Sequence, residues 1–124
     1  MPSNVLLVAA GGAIGAAARY LLGGFVQAHL GPGFPWGTFF VNVTGSFLIG
    51  VVLVLVERGT LPSEARLFLA VGILGGYTTF STFSYETLRL LAAGEAGGVL
   101  LNALGQLLIG LLAVYLGVVF ARAF

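Results

Sequence analysis

The chain has 124 residues, of which 59% are hydrophobic and 7% are charged, and its formal net charge is +1. Soluble domains carry about 25% charged residues, so this composition excludes a water-exposed globular protein and predicts an integral membrane protein. The absence of cysteine excludes disulfides and thiolate metal sites. The near-zero net charge gives no indication of a surface that binds nucleic acid.

Four apolar segments are long enough to cross a bilayer as helices. A hydrocarbon core of ~30 Å needs about 20 mostly apolar residues, and the segments 6–26, 37–56, 67–92 and 99–120 meet this requirement. They lack strict alternation, which disfavours β-strands, and their short connections favour antiparallel neighbours. We therefore expect an all-α, multi-pass integral membrane protein with one transmembrane domain over 1–124.

Charged residues give little preference for one orientation in the membrane. With four spans, both termini and the second connection share the side that holds Arg58, Arg66 and Arg122, against Arg89 on the other side and Arg19 near it. This positive-inside bias is weak. It permits insertion in both orientations and an antiparallel dimer of oppositely oriented copies, whereas a single orientation is the alternative.

Arg19 lies inside the first span, where an arginine at the helix centre costs ~2.5–3.5 kcal/mol. One interpretation is that its side chain snorkels to the nearer interface. The other is that it faces a hydrated, anion-attracting vestibule or pairs with a carboxylate.

Polar residues recur every four positions on two spans, so they form stripes on one helix face. Thr38, Asn42 and Ser46 lie on the second span, and Asn102 and Gln106 on the fourth. Such side chains often form hydrogen bonds between membrane helices. Two amide stripes on separate helices favour a shared hydrated route.

The third span contains the stretch GGYTTFSTFSYE at 75–86. The Gly75-Gly76 pair is expected to weaken the helix at mid-span, and the threonines at 78 and 79 supply side chains that can satisfy the freed backbone groups. Non-helical backbone at this depth is tolerated only inside protein or beside a cavity. Broken membrane helices commonly turn carbonyl oxygens toward a cation. We therefore expect the third helix to be broken within the membrane.

Aromatic rings and hydroxyls follow the glycine pair. Phe80 and Phe83 would share one helix face, with Ser81 and Ser84 in a row beside them. Plain packing is the ordinary role of phenylalanine, but ring edges are electropositive. Edges beside hydroxyl donors would suit a small anion that sheds water. Glu86 is a partner for Arg19, a carboxylate at a pore mouth, or an ordinary helix-end charge.

Nothing in the sequence indicates an enzyme. The one histidine, His29, lies in a turn, without other ligands at metal-binding spacing. Serines without a nearby base make no nucleophile, and the glycine clusters lack the lysine and strand context of a phosphate loop.

The motifs GGYTTFSTFSYE, WGTFFVNVTGSF (36–47) and GGAIGAAARY (11–20) resemble those of the Fluc/CrcB fluoride channels, and the similarity covers essentially the whole chain. This resemblance implies an antiparallel, dual-topology homodimer in the cell inner membrane of a microbe. Its two pores would export fluoride passively and lower cytoplasmic fluoride. It also implies a central sodium ion that is structural and not transported.

The resemblance also assigns roles to individual residues. The backbone carbonyls of Gly75 and Thr78 would hold the sodium ion, two from each subunit. The fluoride pore would consist of ring edges, an amide and hydroxyls, supplied by Phe80, Phe83, Asn42, Ser81, Ser84 and, from the second-span stripe, Thr38. Arg19 would lie near the aqueous entrance and Glu86 toward the other end of the pore.

This chain departs from the family pattern in one place. Family members can carry a hydroxyl track along the fourth span, whereas this chain has Asn102 and Gln106 as a candidate polar track, followed by Gly110. Two other functions remain alternatives. A small proton-coupled multidrug exporter would need a carboxylate deep in a span, where the first span has Arg19. A non-conducting membrane scaffold would carry no ion flux.

Overall fold

The computed structural model describes residues 2–124, which form helices joined by short connections and contain no strand. The helices are α1 (Pro2–Leu30), α2 (Trp36–Glu57), α3 (Ser63–Ala65), a π-helix (Arg66–Leu74), α4 (Gly75–Tyr77), α5 (Phe80–Ala92) and α6 (Ala96–Arg122). The elements from α3 to α5 make up the third span. Within the described residues, four spans are long and apolar enough to cross a membrane, so the expected all-α, multi-pass architecture is confirmed.

The first and third spans pack closely because glycines line their interface. A Cβ atom at Gly72 would lie 2.9 Å from Gly11 Cα, and one at Gly76 would lie 2.7 Å from Gly12 O. Membrane helices gain no hydrophobic energy by associating in lipid, so van der Waals contact between close backbones is a main source of attraction. The glycines therefore hold α1 against the π-helix and α4.

The second and fourth spans form another close pair. A Cβ atom at Gly50 of α2 would lie 2.5 Å from Val114 O of α6. At the end of this pair, Arg58 Nη1 donates to Arg122 O at 3.0 Å. A cation at the C-terminus of a helix also interacts favourably with the helix dipole. Arg58 thus ties α2 to the last turn of α6.

Helical geometry in the third span stops at Thr78 and Thr79, whose φ/ψ values are −92°/158° and −151°/120°. Thr79 begins α5 as its N-cap, because its hydroxyl accepts from the Thr82 N–H at 3.3 Å. Gly75 is helical, with φ −62° and ψ −39°, and Gly76 lies within α4. The expected break in the third helix is therefore confirmed. It lies just after the glycine pair, at the two threonines, where side chains replace helical hydrogen-bond partners.

A single glutamine organises the connection between α1 and α2. Gln27 Nε2 donates to Gly31 O at 2.7 Å and to Phe34 O at 2.8 Å, and its Oε1 accepts from the Gly37 N–H at 3.0 Å. All three bonds join one side chain to the backbone of the connection. The prolines and glycines predict a turn here, but its shape is fixed by Gln27.

Candidate functional site

A cleft of about 390 Å³ opens beside the break in the third span. It is lined by residues of α2, the third span and α6. Six of the residues singled out as pore, polar-track or sodium ligands in the sequence lie along it, namely Asn42, Gly75, Thr78, Phe80, Phe83 and Gln106. Residues up to 64 positions apart in sequence thus meet at one place because three spans converge on the break.

The two phenylalanines stand together on one side of this cleft. The ring centroids of Phe80 and Phe83 lie 5.8 Å apart and the ring planes are tilted by 46°. Phe80 leaves 79% of its surface exposed, whereas Phe83 is half-buried. Ring edges carry partial positive charge. The pair therefore presents apolar surfaces that can still interact favourably with an anion.

An asparagine of α2 replaces the missing helical hydrogen bonds at the break. Asn42 Oδ1 accepts from the Thr79 N–H at 2.8 Å, and Asn42 Nδ2 donates to Thr79 O at 3.1 Å. The same Nδ2 donates to Gln106 Oε1 at 2.8 Å. Buried polar groups require such partners in a low-dielectric environment. Asn42 therefore stabilises the extended backbone and connects it to α6.

The network continues into the interior along α6. Gln106 Nε2 donates to Asn102 Oδ1 at 2.8 Å, and Asn102 Nδ2 donates to Thr87 Oγ1 at 2.9 Å. Thr87 in turn donates to Phe83 O at 2.7 Å. Asn102 is completely buried. Asn102 is therefore an internal support of the network, whereas Gln106 lies at the edge of the cleft.

Counting N–H groups separates the roles of the two amides that line the cleft. An amide nitrogen carries two hydrogens. Asn42 donates both within the protein, one to Thr79 O and one to Gln106 Oε1. Gln106 donates one, to Asn102. Within the described residues, Gln106 thus keeps an N–H for a ligand in the cleft.

The two serines of α5 that were expected in the pore lie outside the cleft at the break. Ser81 and Ser84 are exposed and are not among the residues that line the cleft. Ser84 donates to Phe80 O at 3.0 Å, and the Ser81 hydroxyl lies 3.4 Å from that of Thr79. In a single copy of the chain, these two serines therefore belong to the outer surface of α5.

The carbonyls of Gly75 and Thr78 have lost their helical donors. The Thr79 N–H, four residues after Gly75, donates to Asn42 Oδ1 instead. The Thr82 N–H, four residues after Thr78, donates to the Thr79 hydroxyl. Both residues line the cleft. Carbonyl oxygens freed in this way are suitable ligands for a hard cation such as sodium.

A second cleft, of about 260 Å³, brings together Arg19, Thr38 and Glu86. Arg19 is half-buried, and its Nε donates to Gly76 O at 3.0 Å. The side chain therefore points into the protein and does not snorkel. No ion pair joins Arg19 to Glu86 in the part of the chain that the structure describes.

Glu86 lies between two clefts. It lines the second cleft and also a third cleft, of about 490 Å³, beside the α1–α2 connection. Its Oε1 is buried and has no hydrogen-bond partner among the described residues. A carboxylate oxygen in such a position is costly without a partner. Glu86 thus lies between two clefts, within α5 and six residues before its end at Ala92.

Two residues of these sites, Thr87 and Gln27, were given no role by the sequence, and Thr79 was expected only to satisfy freed backbone groups near the break. Thr79 caps α5, Thr87 ends the amide network, and Gln27 shapes the connection that borders Glu86. A threonine just before a helical segment is a signal for an N-cap, and a glutamine in the last turn before a Gly/Pro-rich connection is a signal for loop anchoring. The distant partners themselves leave no local signal.

Comparison with known proteins identifies the family of this chain. Residues 6–118 match the family model described as CrcB-like protein, Camphor Resistance (CrcB). The chain is 62% identical over 112 residues to a Thermus thermophilus protein, covering 90% of this chain and 88% of that one. It is 50% identical over 120 residues to a Geobacter metallireducens protein, covering 96% and 97% of the two chains. Both relatives are named as a fluoride-specific ion channel, FluC, which is a transporter and not an enzyme. The chain therefore belongs to the CrcB family.

Proposed function

We propose that this protein is a fluoride-selective channel through which fluoride leaves the cytoplasm down its electrochemical gradient. The observation that carries the proposal is the cleft at the break, where Phe80 and Phe83 stand beside the amide of Gln106. The names of the relatives point to the same ion.

The chemistry of the cleft suits a small anion. Fluoride holds its water tightly, so a selective pathway must replace that water by donors at close range. An amide N–H and the edges of two rings supply positive partial charge without a fixed countercharge that would trap the ion. Larger halides would fit this spacing less well.

The entrance would be the cleft of Arg19, Thr38 and Glu86. The guanidinium of Arg19 attracts anions, while its hydrogen bond to Gly76 O holds it in place. Thr38 adds a hydroxyl to the lining of the same cleft. Glu86 would then influence how the ion passes from this vestibule toward the phenylalanines.

A structural sodium ion would be held by the carbonyls of Gly75 and Thr78. Their freed oxygens support this assignment, and a bound cation would offset the repulsion between them. Two copies of the chain would supply four such oxygens around one ion. The ion would then join the two broken helices and would not be transported.

A second, oppositely oriented copy would complete the pathway in the inner membrane. Ser81 and Ser84 are exposed on the outer face of α5, and small polar residues are favoured where membrane helices contact each other, so covering this face would be favourable. Because the chain has no cysteine, a single Ala93→Cys substitution tests the topology. A membrane-impermeant maleimide should label this variant from both sides of the membrane, and labelling from one side alone would contradict dual topology.

The function itself is tested in liposomes. Purified protein should release fluoride, measured with a fluoride electrode, at a rate independent of a proton gradient, with little release of chloride. Protein-free vesicles give the background. Flux no greater than this background would contradict the channel and favour a scaffold, and gradient-driven efflux of lipophilic cations would favour an exporter.

The phenylalanine pair provides a more specific test. Phe80→Ile or Phe83→Ile removes a ring edge but keeps an apolar side chain, so fluoride flux should fall. Phe40→Ile on α2 is a matched control outside the three clefts. Equal flux in all three variants would contradict the role of the rings.

A further inference from the structure

Ser46 has a free hydroxyl at the cleft. Elsewhere in the helices, hydroxyls commonly donate to the carbonyl four residues earlier: Thr44, Thr78, Ser84 and Thr87 all do so, at 2.7–3.0 Å. Ser46 lines the cleft, and its hydroxyl makes no hydrogen bond to any residue from 2 to 124. Its proton is therefore available to a ligand.

The position opposite Ser46 is a glycine of α6. Gly110 continues the stripe formed by Asn102 and Gln106 at four-residue spacing, and it is buried. A Cβ atom at Gly110 would lie 3.7 Å from Ser46 Oγ and would touch no other residue. The α6 stripe thus lacks a polar side chain at its third step, and a hydroxyl from α2 reaches that same space.

We propose that Ser46 donates a hydrogen bond to fluoride at this third step, in place of a side chain on α6. The proposal rests on the fluoride channel function and extends it to one further ion-contacting residue. In order along the pathway, the donors would be the Gln106 amide and the Ser46 hydroxyl, with the phenylalanine edges beside them. The glycine at 110 leaves room for the ion and its remaining water next to Ser46.

Moving the hydroxyl between helices tests this proposal. Ser46→Ala should lower fluoride efflux from liposomes roughly tenfold, the effect of losing one hydrogen bond to a charged group. Adding Gly110→Ser returns a hydroxyl to the same space from α6, so the double variant should regain most of the flux.

Two further variants separate the hydroxyl from its size and from folding. Ser46→Cys keeps the shape but is a weak donor, so it should lose flux as Ser46→Ala does. Ser63→Ala, outside the three clefts, should conduct normally. Thermal unfolding midpoints should be equal for Ser46→Ala and the wild type, because the hydroxyl makes no bond within the protein.

The outcomes are distinct. The proposal is overturned if Ser46→Ala conducts fluoride at the wild-type rate, or if the double variant with Gly110→Ser stays as slow as Ser46→Ala. Loss of flux in Ser46→Ala with rescue in the double variant supports it. A wild-type protein without fluoride flux would contradict the proposed function itself.

Discussion

Asn42 and Thr79 pair through two hydrogen bonds, as neighbouring strands do. The Thr79 N–H donates to Asn42 Oδ1 at 2.8 Å and Asn42 Nδ2 donates to Thr79 O at 3.1 Å. A single side chain therefore satisfies both backbone groups of a residue that has left helical geometry. An unsatisfied backbone group in the membrane costs several kcal/mol, so this pairing stabilises the break in the third helix.

Asn42→Asp should damage this pairing and reduce fluoride flux. The carboxylate can still accept from the Thr79 N–H, but it faces two acceptors, Thr79 O and Gln106 Oε1, with no proton to donate. It also places negative charge beside the anion route. We expect efflux from liposomes to fall by at least about tenfold.

Asn4→Asp, at the exposed start of α1, is the control for the added charge and should keep normal flux. Wild-type flux in Asn42→Asp would show that the break does not depend on the amide.

Gly15→Ala should separate the first span from the third. A Cβ atom at Gly15 would overlap Ile73 O, and backbone cannot move aside as a flexible side chain can. Overpacking of this kind costs about 1–3 kcal/mol, so the denaturation midpoint in detergent should fall.

Gly24→Ala lies on the same helix with nothing within 4 Å of the added atom. It should leave stability unchanged or raise it by up to about 1 kcal/mol, because alanine favours the helix. Equal midpoints for Gly15→Ala and the wild type would contradict the close packing of α1 on the third span.

Gly45→Ala should weaken the proposed sodium site. A Cβ atom at Gly45 would overlap Thr78 Cγ2, and the Thr78 side chain is fixed because its hydroxyl donates to Leu74 O at 2.9 Å. The strain would therefore displace the Thr78 backbone, including its carbonyl. Sodium should raise the thermal unfolding midpoint of the wild type, measured against N-methylglucamine, and raise it less in this variant.

Gly97→Ala in α6, where an added Cβ atom meets nothing within 4 Å, should keep the full sodium effect. If Gly45→Ala responds to sodium as strongly as the wild type does, Thr78 O is not a ligand.

Gln27→Met should loosen the α1–α2 connection. Methionine has a similar length but lacks the two donors and the strong acceptor that bind Gly31, Phe34 and Gly37. At about 0.5–1.5 kcal/mol for each hydrogen bond, the backbone amides of 31–37 should exchange hydrogen much faster. Fluoride flux should also fall, because this connection borders the cleft that contains Glu86.

His29→Ala serves as the control. The structure places His29 in the last turn of α1 and not in the expected turn, and its exposed imidazole contacts Phe25 of the same helix, through the ring and the carbonyl oxygen. Unchanged exchange at 31–37 in Gln27→Met would mean that the prolines alone hold the connection.

Local pattern was enough to predict several features. The apolar length of each segment predicts the four spans, and the three-residue spacing of Phe80 and Phe83 places both rings on one face of a helix. The motif at 75–86 identifies the family. These features depend on short-range spacing, which a sequence displays directly.

Other features depend on distant partners. The break could be expected from the glycines, yet it occurs at Thr78 and Thr79 because Asn42 is in position to satisfy Thr79. Gly76 instead packs against α1. Likewise, nothing local to Arg19 distinguishes a side chain that snorkels from one that bonds to Gly76 O.

The amino-acid sequence by itself determined that this chain is an integral membrane protein, how many times it crosses the membrane, and which polar residues lie inside the spans. It could do so because each crossing needs a helix of about 20 mostly apolar residues. Only the tertiary structure decided which of those polar groups are already satisfied within the protein. Asn42 donates both of its amide hydrogens internally, whereas Gln106 retains one and the Ser46 hydroxyl is free. That difference arises from the packing of α2, the third span and α6 around one break, and the groups left free are those that can bind an ion.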